Sequence, residues 1–437
     1  METQPQQGIH DARQLGALKF GILGVQHLFA MFGATILVPA ITGLNVSATL
    51  LFAGIGTLIF HFIAKWKVPA FLGSSFAFIG GYMSIKQLGM DKGLPEYLSL
   101  DYACIGVACA GLCYFVMAAL IKIFGSTRIL RYFPPVVTGP MVISIGLCLS
   151  GSAISSATTD WLIALVAIAV VIVSNMWGKG IVKIVPILLG VLTSYILAAC
   201  LGKIDFTAFH EAAWIGLPVA RENTVLAVFD NVDKTLLLSS IVAIMPIAFA
   251  TIMEHIGDML AISSTVGKDY LSDPGLHRTL TGDGIATALA SLFGAPANTT
   301  YGENTGVLNL TKVFDPRVIR LAALLAILLS FCPKFASLIG LMPAATIGGV
   351  SLILYGMISA VGVRNMIDAR VNFASMRNVI IAALILVIAI GVKYGANDSL
   401  PIGPIHISGL ALAAIVGIVL NAVLPKDMEV DLNKYSN

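Results

Sequence analysis

Long apolar runs, repeated from one end of the chain to the other, constrain its fold more than any other feature. A helix of about 20 apolar residues crosses the roughly 30 Å hydrocarbon core of a bilayer. The runs are continuous and lack the strict alternation of outer-membrane strands, so they predict transmembrane helices. The strongest runs are Phe20–Ala40, Ser47–Ala64, Tyr102–Ile123, Val136–Ser152, Trp161–Ser174, Val185–Leu201, Leu236–Leu260, Leu321–Leu338, Pro343–Ala360, Val379–Val392 and Gly403–Leu424.

The composition excludes a soluble protein of this size. The 437 residues are 57% hydrophobic and only 11% charged, which is too few charges to cover a surface exposed to water. Met1–Leu15 is polar and lacks the apolar core of a cleaved signal peptide. The six cysteines lie in apolar runs, which indicates packing rather than disulfides or metal ligation. The net charge of +3 is scattered over short loops and does not indicate nucleic-acid binding.

The lysines and arginines predict the orientation of the chain. If the N-terminus is cytoplasmic and two shorter segments also cross, nineteen of the 26 basic residues fall in cytoplasmic loops. This distribution obeys the positive-inside rule. We therefore expect a multi-pass protein of the inner (cytoplasmic) membrane, with both termini in the cytoplasm and an even number of spans.

Two hydrophobic segments are interrupted by glycine, proline and polar residues. Ala70–Met83 is too short to cross a bilayer and contains Gly73-Ser74-Ser75, and Ser291–Leu310 is broken by Pro296 and several glycines. Non-helical backbone at membrane depth is tolerated only where protein or a wet cavity satisfies it. Each segment occupies the third position of one half of the chain, which predicts two inverted repeats of seven elements and a central transport site.

Three carboxylates inside hydrophobic segments are the candidate site residues. Glu254 and Asp258 share one helix face at i,i+4 spacing, and Glu303 lies in the second broken segment. No span offers a matching lysine or arginine, so these groups favour a neutral ligand rich in N–H donors and a proton that one carboxylate carries. A purely structural role for Asp258 is the alternative. Metal binding lacks cysteine or paired histidine ligands at suitable spacing, so we expect no metal and no cofactor.

Several motifs resemble the nucleobase–ascorbate (nucleobase cation symporter 2) transporter family, and specifically its bacterial uracil permeases. Glu303-Asn304-Thr305-Gly306 followed by Thr311-Lys312 fits the family signature of an acidic or amide residue, Asn, any residue, Gly, four residues, Thr and a basic residue. The resemblance covers residues 18–424. The other similar stretches are Tyr301-Gly302, Gln26–Thr35, Gly73–Phe78 and Glu254–Gly257.

The resemblance implies an all-α membrane protein with 14 transmembrane segments. The broken third and tenth segments would each contain a short strand, and the spans would divide between a core domain and a gate domain. The core would comprise residues 18–125 and 236–340, and the gate would comprise residues 126–201 and 341–424. Residues 202–235 would form an extracytoplasmic loop, and residues 425–437 would form a cytoplasmic tail.

The resemblance also implies which residues form the site. Glu254 and Glu303 would accept hydrogen bonds from a pyrimidine, and the main-chain N–H groups of Phe76 and Gly302 would meet its carbonyl groups. The remaining substrate-binding positions would be Ala34, Tyr301 and, on the gate side, Tyr355. Proton coupling would involve Asp258, Glu303 and Glu254. Some relatives have a histidine at the position of Asp258, which leaves the proton path open.

The leading hypothesis is a proton-coupled symporter that imports uracil, with protons and membrane lipid as its other partners. The alternatives are a purine or xanthine permease of the same family and an anion transporter of related fold. A homodimer remains open, and nucleic acid is not expected as a partner. We do not expect an enzyme, although buried carboxylates could serve one, and the lack of a nucleotide-binding loop argues against an ATP-driven pump.

Overall fold

The structure is a computed structural model that describes residues 8–130, 134–396, 400–402 and 405–425. Within this part the chain is almost entirely helical, and most of the tail predicted at 425–437 lies outside the described residues. The first half contains α1 (Gly16–Thr42), α2 (Val46–Ile63), β1 (Leu72–Ser74), α3 (Ile79–Asp91), α4 (Glu96–Phe124), α5 (Ser126–Leu130), α6 (Pro135–Ala157), α7 (Trp161–Trp177), α8 (Ile181–Ile184), α9 (Pro186–Cys200) and α10 (Thr207–Glu211).

The second half begins after a loop that follows α10. It contains α11 (Lys234–Ile244), α12 (Ala248–Val266), α13 (Leu276–Leu292), β2 (Asn298–Thr300), α14 (Gly302–Thr311), α15 (Pro316–Ser330), α16 (Pro333–Gly340), α17 (Ala344–Asp368), α18 (Met376–Gly395), β3 (Leu400–Ile402), β4 (Ile405–Ile407) and α19 (Gly409–Val423).

The predicted multi-pass membrane architecture is confirmed. Seven helical segments in the described ranges are long and apolar enough to cross a membrane, and α15 with α16 would make an eighth. Several helices begin where a polar side chain accepts the first free backbone N–H groups. Asn45 caps α2, Asp160 caps α7, Asp233 caps α11 and Ser408 caps α19.

Two of the predicted apolar runs are broken by proline. The run Leu236–Leu260 divides into α11 and α12 at a 3-10 turn that contains Pro246. The run Leu321–Leu338 divides into α15 and α16, whose axes differ by 86° at the break before Pro333. Proline lacks an N–H and disfavours helical backbone at the preceding residue. The first run still forms one apolar span, Lys234–Val266, whereas the second bends sharply, so a continuous span was the wrong prediction only there.

Helix α13 lies outside the predicted apolar runs and is also not among the helices apolar enough to cross a membrane. This helix contains Arg278, Asp283 and several threonines and glycines, which lower its hydropathy. It nevertheless packs between α2 and α4 with much of its length buried. A second correction concerns the last run, Gly403–Leu424. Its helix α19 begins only at Gly409, because the chain first forms the β3–β4 hairpin.

The two broken segments meet as an antiparallel pair of strands. Gly73 lies opposite Thr299, and further backbone bonds join Ser75 N–H to the Ala297 carbonyl (2.9 Å) and Tyr301 N–H to the Phe71 carbonyl (2.9 Å). A two-stranded ladder leaves its outer edges unsatisfied, which is costly inside a membrane. Side chains from neighbouring helices fill this need.

Two threonines, one on each neighbouring helix, bond backbone groups at the outer edges of the ladder. Thr57 on α2 receives the Leu72 N–H at 2.9 Å and donates to the Leu72 carbonyl at 3.3 Å. Thr287 on α13 donates to the Asn298 carbonyl at 2.9 Å. Leu72 and Asn298 are the first residues of their strands. In both halves, the helix that precedes the strand therefore bonds the first residue of that strand.

The long helices fall into two groups by their packing partners. In one group α2 packs against α13 and α15, α4 packs against α11 and α13, and α1 packs against α15. In the other, α6 packs against α17 and α18, α7 against α9 and α17, and α18 against α19. Glycines allow close backbone approach in the second group. A Cβ at Gly362 of α17, for example, would lie 2.6 Å from the Gly139 carbonyl oxygen of α6.

The N-terminal residues form a strap on the loop that follows α14. Ile9 N–H donates to the Lys312 carbonyl at 2.8 Å, and Ala12 N–H donates to the Asp315 carboxylate at 2.7 Å. Asp11 pairs with both Arg13 (2.9 Å) and Arg317 (3.1 Å). The Arg13 guanidinium lowers the pKa of Asp11 to about 2, so the carboxylate stays ionised at neutral pH.

Candidate functional site

The paired strands bring two helix starts to the centre of the molecule. A 3-10 turn, Phe76–Phe78, follows β1 and leads into α3, while α14 begins at Gly302 directly after β2. Because the strands are antiparallel, Phe76 and Gly302 flank the ladder at opposite ends. The first N–H groups of a helix have no partner within it and carry partial positive charge. Both broken segments therefore present hydrogen-bond donors beside the ladder.

Tyr301 locks one end of this arrangement. Its hydroxyl donates to the Ser74 carbonyl at 2.8 Å and accepts from the Thr35 hydroxyl at 3.3 Å, and Ser74 Oγ donates back to the Thr35 carbonyl at 3.1 Å. The ring passes directly over Gly73, where an added Cβ would collide with it. Glycine is therefore required at position 73. Ala34, the neighbour of Thr35 on α1, is buried beside this lock.

Helix α12 supplies the carboxylates. Glu254 is exposed and Asp258 is partly buried, and the exposed positions Gly257, Ala261 and Ser264 continue the same helix face. Carboxylates within a spanning helix by default face a water-filled path, so these exposed positions predict a water-accessible cleft along this face of α12. The side chain of Asp258, which belongs to α12, lies beside the first residue of α14. A Cβ added to Gly302 would be 3.3 Å from Asp258 Oδ1.

Thr300, the last residue of β2, connects Asp258 to a buried pair. Its hydroxyl donates to Asp258 Oδ2 at 3.1 Å and lies 3.2 Å from His255 Nδ1. His255 Nδ1 is in turn 3.3 Å from Asp283 Oδ2 on α13, and both side chains are 0% exposed. A chain of polar atoms therefore runs from the edge of the cleft to a carboxylate in the protein interior.

The sequence interpretation assigned no role to Thr300, His255 or Asp283. A signal existed for Asp283, because a carboxylate between Thr279 and Thr287 on a helix is as costly in a membrane as the three that were chosen. The apolar runs do not include it, because the sequence of α13 is too polar. In the sequence, His255 is only a member of the Glu254–Gly257 motif. Its contact with α13 arises from the fold and has no signal in the neighbouring residues.

The other predicted site residues are placed as follows. Phe76 is partly buried at the start of its 3-10 turn. Glu303 is the second residue of α14, and its side chain lies outside the part of the chain that the structure describes. Tyr355 is buried on α17, in the helix that packs against α6. Its approach to the carboxylates stays a prediction, as do the binding roles of the whole set.

This arrangement places a carboxylate acceptor of α12, Asp258, beside the donors at the start of α14. Carboxylates on α12 accept hydrogen bonds, and the starts of the helices after β1 and β2 donate them. Such a site matches a neutral, flat molecule whose edge alternates N–H and carbonyl groups. The connection from Asp258 through Thr300 to His255 also offers positions at which a proton could be held.

Comparison with known proteins identifies related sequences along nearly the whole chain. A family model described as "Permease family" matches residues 18–397. The uracil permease of Bacillus caldolyticus is 41% identical over 413 residues, covering 92% of this chain and 91% of the relative. The uracil permease of Bacillus subtilis (strain 168) is 39% identical over 418 residues, covering 93% and 92%.

Solved structures of the same fold belong to more distant proteins. The transmembrane domain of a cyanobacterium bicarbonate transporter superposes with a TM-score of 0.59 at 15% sequence identity, covering 96% of this chain and all of that domain. At this identity the similarity concerns the fold alone. It agrees with the sequence-based alternative, an anion transporter of related fold, in the fold only.

Proposed function

Because this chain belongs to the nucleobase–ascorbate transporter family of permeases, we propose that it is a secondary transporter that imports uracil across the cytoplasmic membrane together with protons. The family membership rests on the matched residues 18–397 and on relatives about 40% identical over more than 90% of the chain. Those relatives are named uracil permeases, which supports uracil as the substrate.

The observation that carries the proposal is the meeting of α12 with the paired broken segments. Uracil is a small, flat, neutral ring with two N–H donors and two carbonyl acceptors. We infer that Glu254 and Glu303 accept from its N–H groups while the backbone N–H groups of Phe76 and Gly302 donate to its carbonyls. Ala34, Tyr301 and Tyr355 would complete the pocket. An acidic site of this kind disfavours an anionic substrate, because like charges repel in a low dielectric.

Proton coupling is assigned to the carboxylates at the edge of the cleft. Asp258 is one helical turn from Glu254 and bonded to Thr300, so its hydration would change whenever the cleft opens or closes. Desolvation favours the protonated form of a carboxyl, and water favours the ionised form. Opening and closing would therefore bind and release a proton. Glu254 and Glu303 would add negative charge near Asp258, so the protonation of the three carboxylates would be coupled.

We propose fourteen spans in two inverted repeats. Thr57 of α2 bonds the first residue of β1, and Thr287 of α13 bonds the first residue of β2. These corresponding contacts support the repeats. The two packing groups support a core of 18–125 and 236–340 and a gate of 126–201 and 341–424. The distribution of lysine and arginine supports cytoplasmic termini.

Uptake by purified protein in proteoliposomes tests the proposal. With an inward proton gradient, radiolabelled uracil should accumulate, and collapsing the gradient with a protonophore should prevent accumulation. Xanthine and bicarbonate in separate vesicles test the alternatives. Glu254→Gln serves as the matched control, because it keeps the side-chain shape but removes an acceptor and should lose uracil binding. Accumulation of xanthine or bicarbonate instead of uracil would reject the assigned substrate.

A further inference from the structure

The loop between α9 and α11 is fastened to helix α16 rather than hanging free. Gly216 N–H donates to the Phe331 carbonyl at 3.0 Å, and Lys334 N–H donates to the Ala213 carbonyl at 3.0 Å. The Lys334 ammonium also lies 5.0 Å from the ring centroids of Phe209 and Trp214. These contacts hold the loop against the first turn of α16.

Glycine at position 216 is part of this fastening. A Cβ there would lie 2.6 Å from Pro333 Cγ, so only glycine permits the close approach. The segment of residues 213–217 therefore has a defined position on the break between α15 and α16.

This fastened segment presents large apolar side chains outward. Trp214 is 70% exposed, and Ile215 and Leu217 are each 85% exposed. They occur in a loop that is otherwise rich in charged residues such as Asp205 and Glu211. Leaving an aliphatic or aromatic side chain in water is unfavourable relative to burying it. A rigid display of three such side chains indicates that something apolar covers them.

The geometry of α15 and α16 places the segment at a membrane surface. Helix α15 packs along α1 and α2, two of the helices long enough to span a bilayer. Because α16 turns away from α15 by 86°, it runs roughly parallel to the membrane plane. The exposed residues Leu324 and Leu328 form an apolar stripe on α15 that leads to Phe331. Since Gly216 bonds to Phe331, the segment continues this lipid-facing stripe.

We propose that Trp214, Ile215 and Leu217 form an interfacial anchor that inserts into the boundary between lipid headgroups and acyl chains. Tryptophan is enriched at this depth because its ring is apolar and its N–H is polar, and aliphatic neighbours add buried area. The Lys334 ammonium stacks on the Trp214 ring and stays on the side of the anchor that faces the lipid headgroups. The anchor fixes the depth of α16 relative to the membrane surface. Helix α16 connects α15 of one packing group to α17 of the other. This inference does not depend on the transported substrate.

Fluorescence of a protein with one tryptophan tests the anchor. Trp66→Phe, Trp161→Phe and Trp177→Phe leave Trp214 alone, and the protein is reconstituted into vesicles of phosphatidylcholine brominated near the headgroup. We expect Trp214 to lose more than half of its emission and to resist quenching by aqueous iodide. The matched control carries Trp214→Phe and Glu222→Trp, which places the only tryptophan at an exposed polar position of the same loop. It should respond to iodide and not to bromine.

A second measurement does not rely on the tryptophan replacements. Leu217→Cys, with the six native cysteines changed to serine, is labelled with a nitroxide whose collisions with oxygen and with a water-soluble nickel complex report depth. The anchor predicts contact with oxygen. Access to nickel and to iodide would overturn it. Protection of the nitroxide from both oxygen and nickel would also overturn it. Cross-linking of Leu217→Cys between two copies would then show that a second protein molecule covers the three side chains.

Discussion

At the scale of single residues, the two carboxylates of α12 differ in their exposure. Glu254 faces the cleft, whereas Asp258 accepts a hydrogen bond from Thr300 and lies against the start of α14. Two carboxylates one helical turn apart can therefore serve different purposes. Exposure suits Glu254 to ligand contact, and a partly buried, bonded position suits Asp258 to a change of protonation.

The substitution Asp258→Asn separates these purposes. The amide keeps an oxygen that can accept from Thr300 but cannot ionise. We expect uracil binding to remain within about tenfold, or 1.4 kcal/mol, of the wild type, while accumulation driven by a pH gradient is lost. Equilibrium binding and gradient-driven uptake are measured in the same lipid, with Glu254→Gln as the variant that should lose binding itself. Normal accumulation by Asp258→Asn would assign Asp258 a structural role and leave coupling to Glu254 and Glu303.

At the scale of secondary-structure elements, the short β1–β2 ladder organises the centre of the protein. Three paired residues on each strand would be marginal in isolation. The ladder persists because Thr57 and Thr287 satisfy its outer edges and because the Tyr301 ring covers it at Gly73. Any group that separates the strands also displaces the starts of α14 and of the turn at Phe76.

The substitution Gly73→Ala should damage this element. Its Cβ would lie 2.7 Å from Thr35 Oγ1 and would collide with the Tyr301 ring, which its own hydrogen bonds hold in place. Overpacking of this kind typically costs about 1–3 kcal/mol. We expect a lower melting temperature in detergent and weaker uracil binding. Gly80→Ala is the control, because its Cβ would make only an ordinary contact, 3.6 Å from Leu410 Cδ1. Equal stability and affinity of the two variants would refute the requirement for glycine.

At the scale of the whole molecule, the two packing groups meet around a small cavity. Ile247 and Ala250, which follow α11 of the first group, line one side of it. Ile145 of α6 and Leu410 and Ala413 of α19, in the second group, line the other side. If the gate moves against the core during transport, this contact must change. Contacts within either group should persist throughout.

Cross-linking distinguishes the two kinds of contact. In a variant with the six cysteines replaced by serine, Ala250→Cys and Ala413→Cys are joined by a bifunctional thiol reagent, and we expect uracil uptake to stop. The control joins Ile143→Cys on α6 to Ser359→Cys on α17 and should keep uptake. These positions are close within one packing group, because the Ser359 hydroxyl donates to the Ile143 backbone carbonyl at 3.1 Å. Unimpaired transport through a fully cross-linked Ala250–Ala413 protein would contradict relative movement of core and gate.

The sequence by itself determined the membrane-spanning character, the positions of the two broken segments and the carboxylates of α12. These features are local, because hydropathy, glycine and proline content and i,i+4 spacing are properties of short stretches. The family signature at Glu303–Gly306 likewise needs no knowledge of distant contacts.

Only the tertiary structure decided which strands pair, in what register, and where α16 turns. It also decided that α13 belongs among the long helices of the bundle although its sequence is polar. Asp283 is tolerated there because His255 pairs with it, and Thr287 donates to the first carbonyl of β2. A hydropathy average counts the cost of moving such groups out of water, but the partners that offset this cost lie far away along the chain and meet only when it folds.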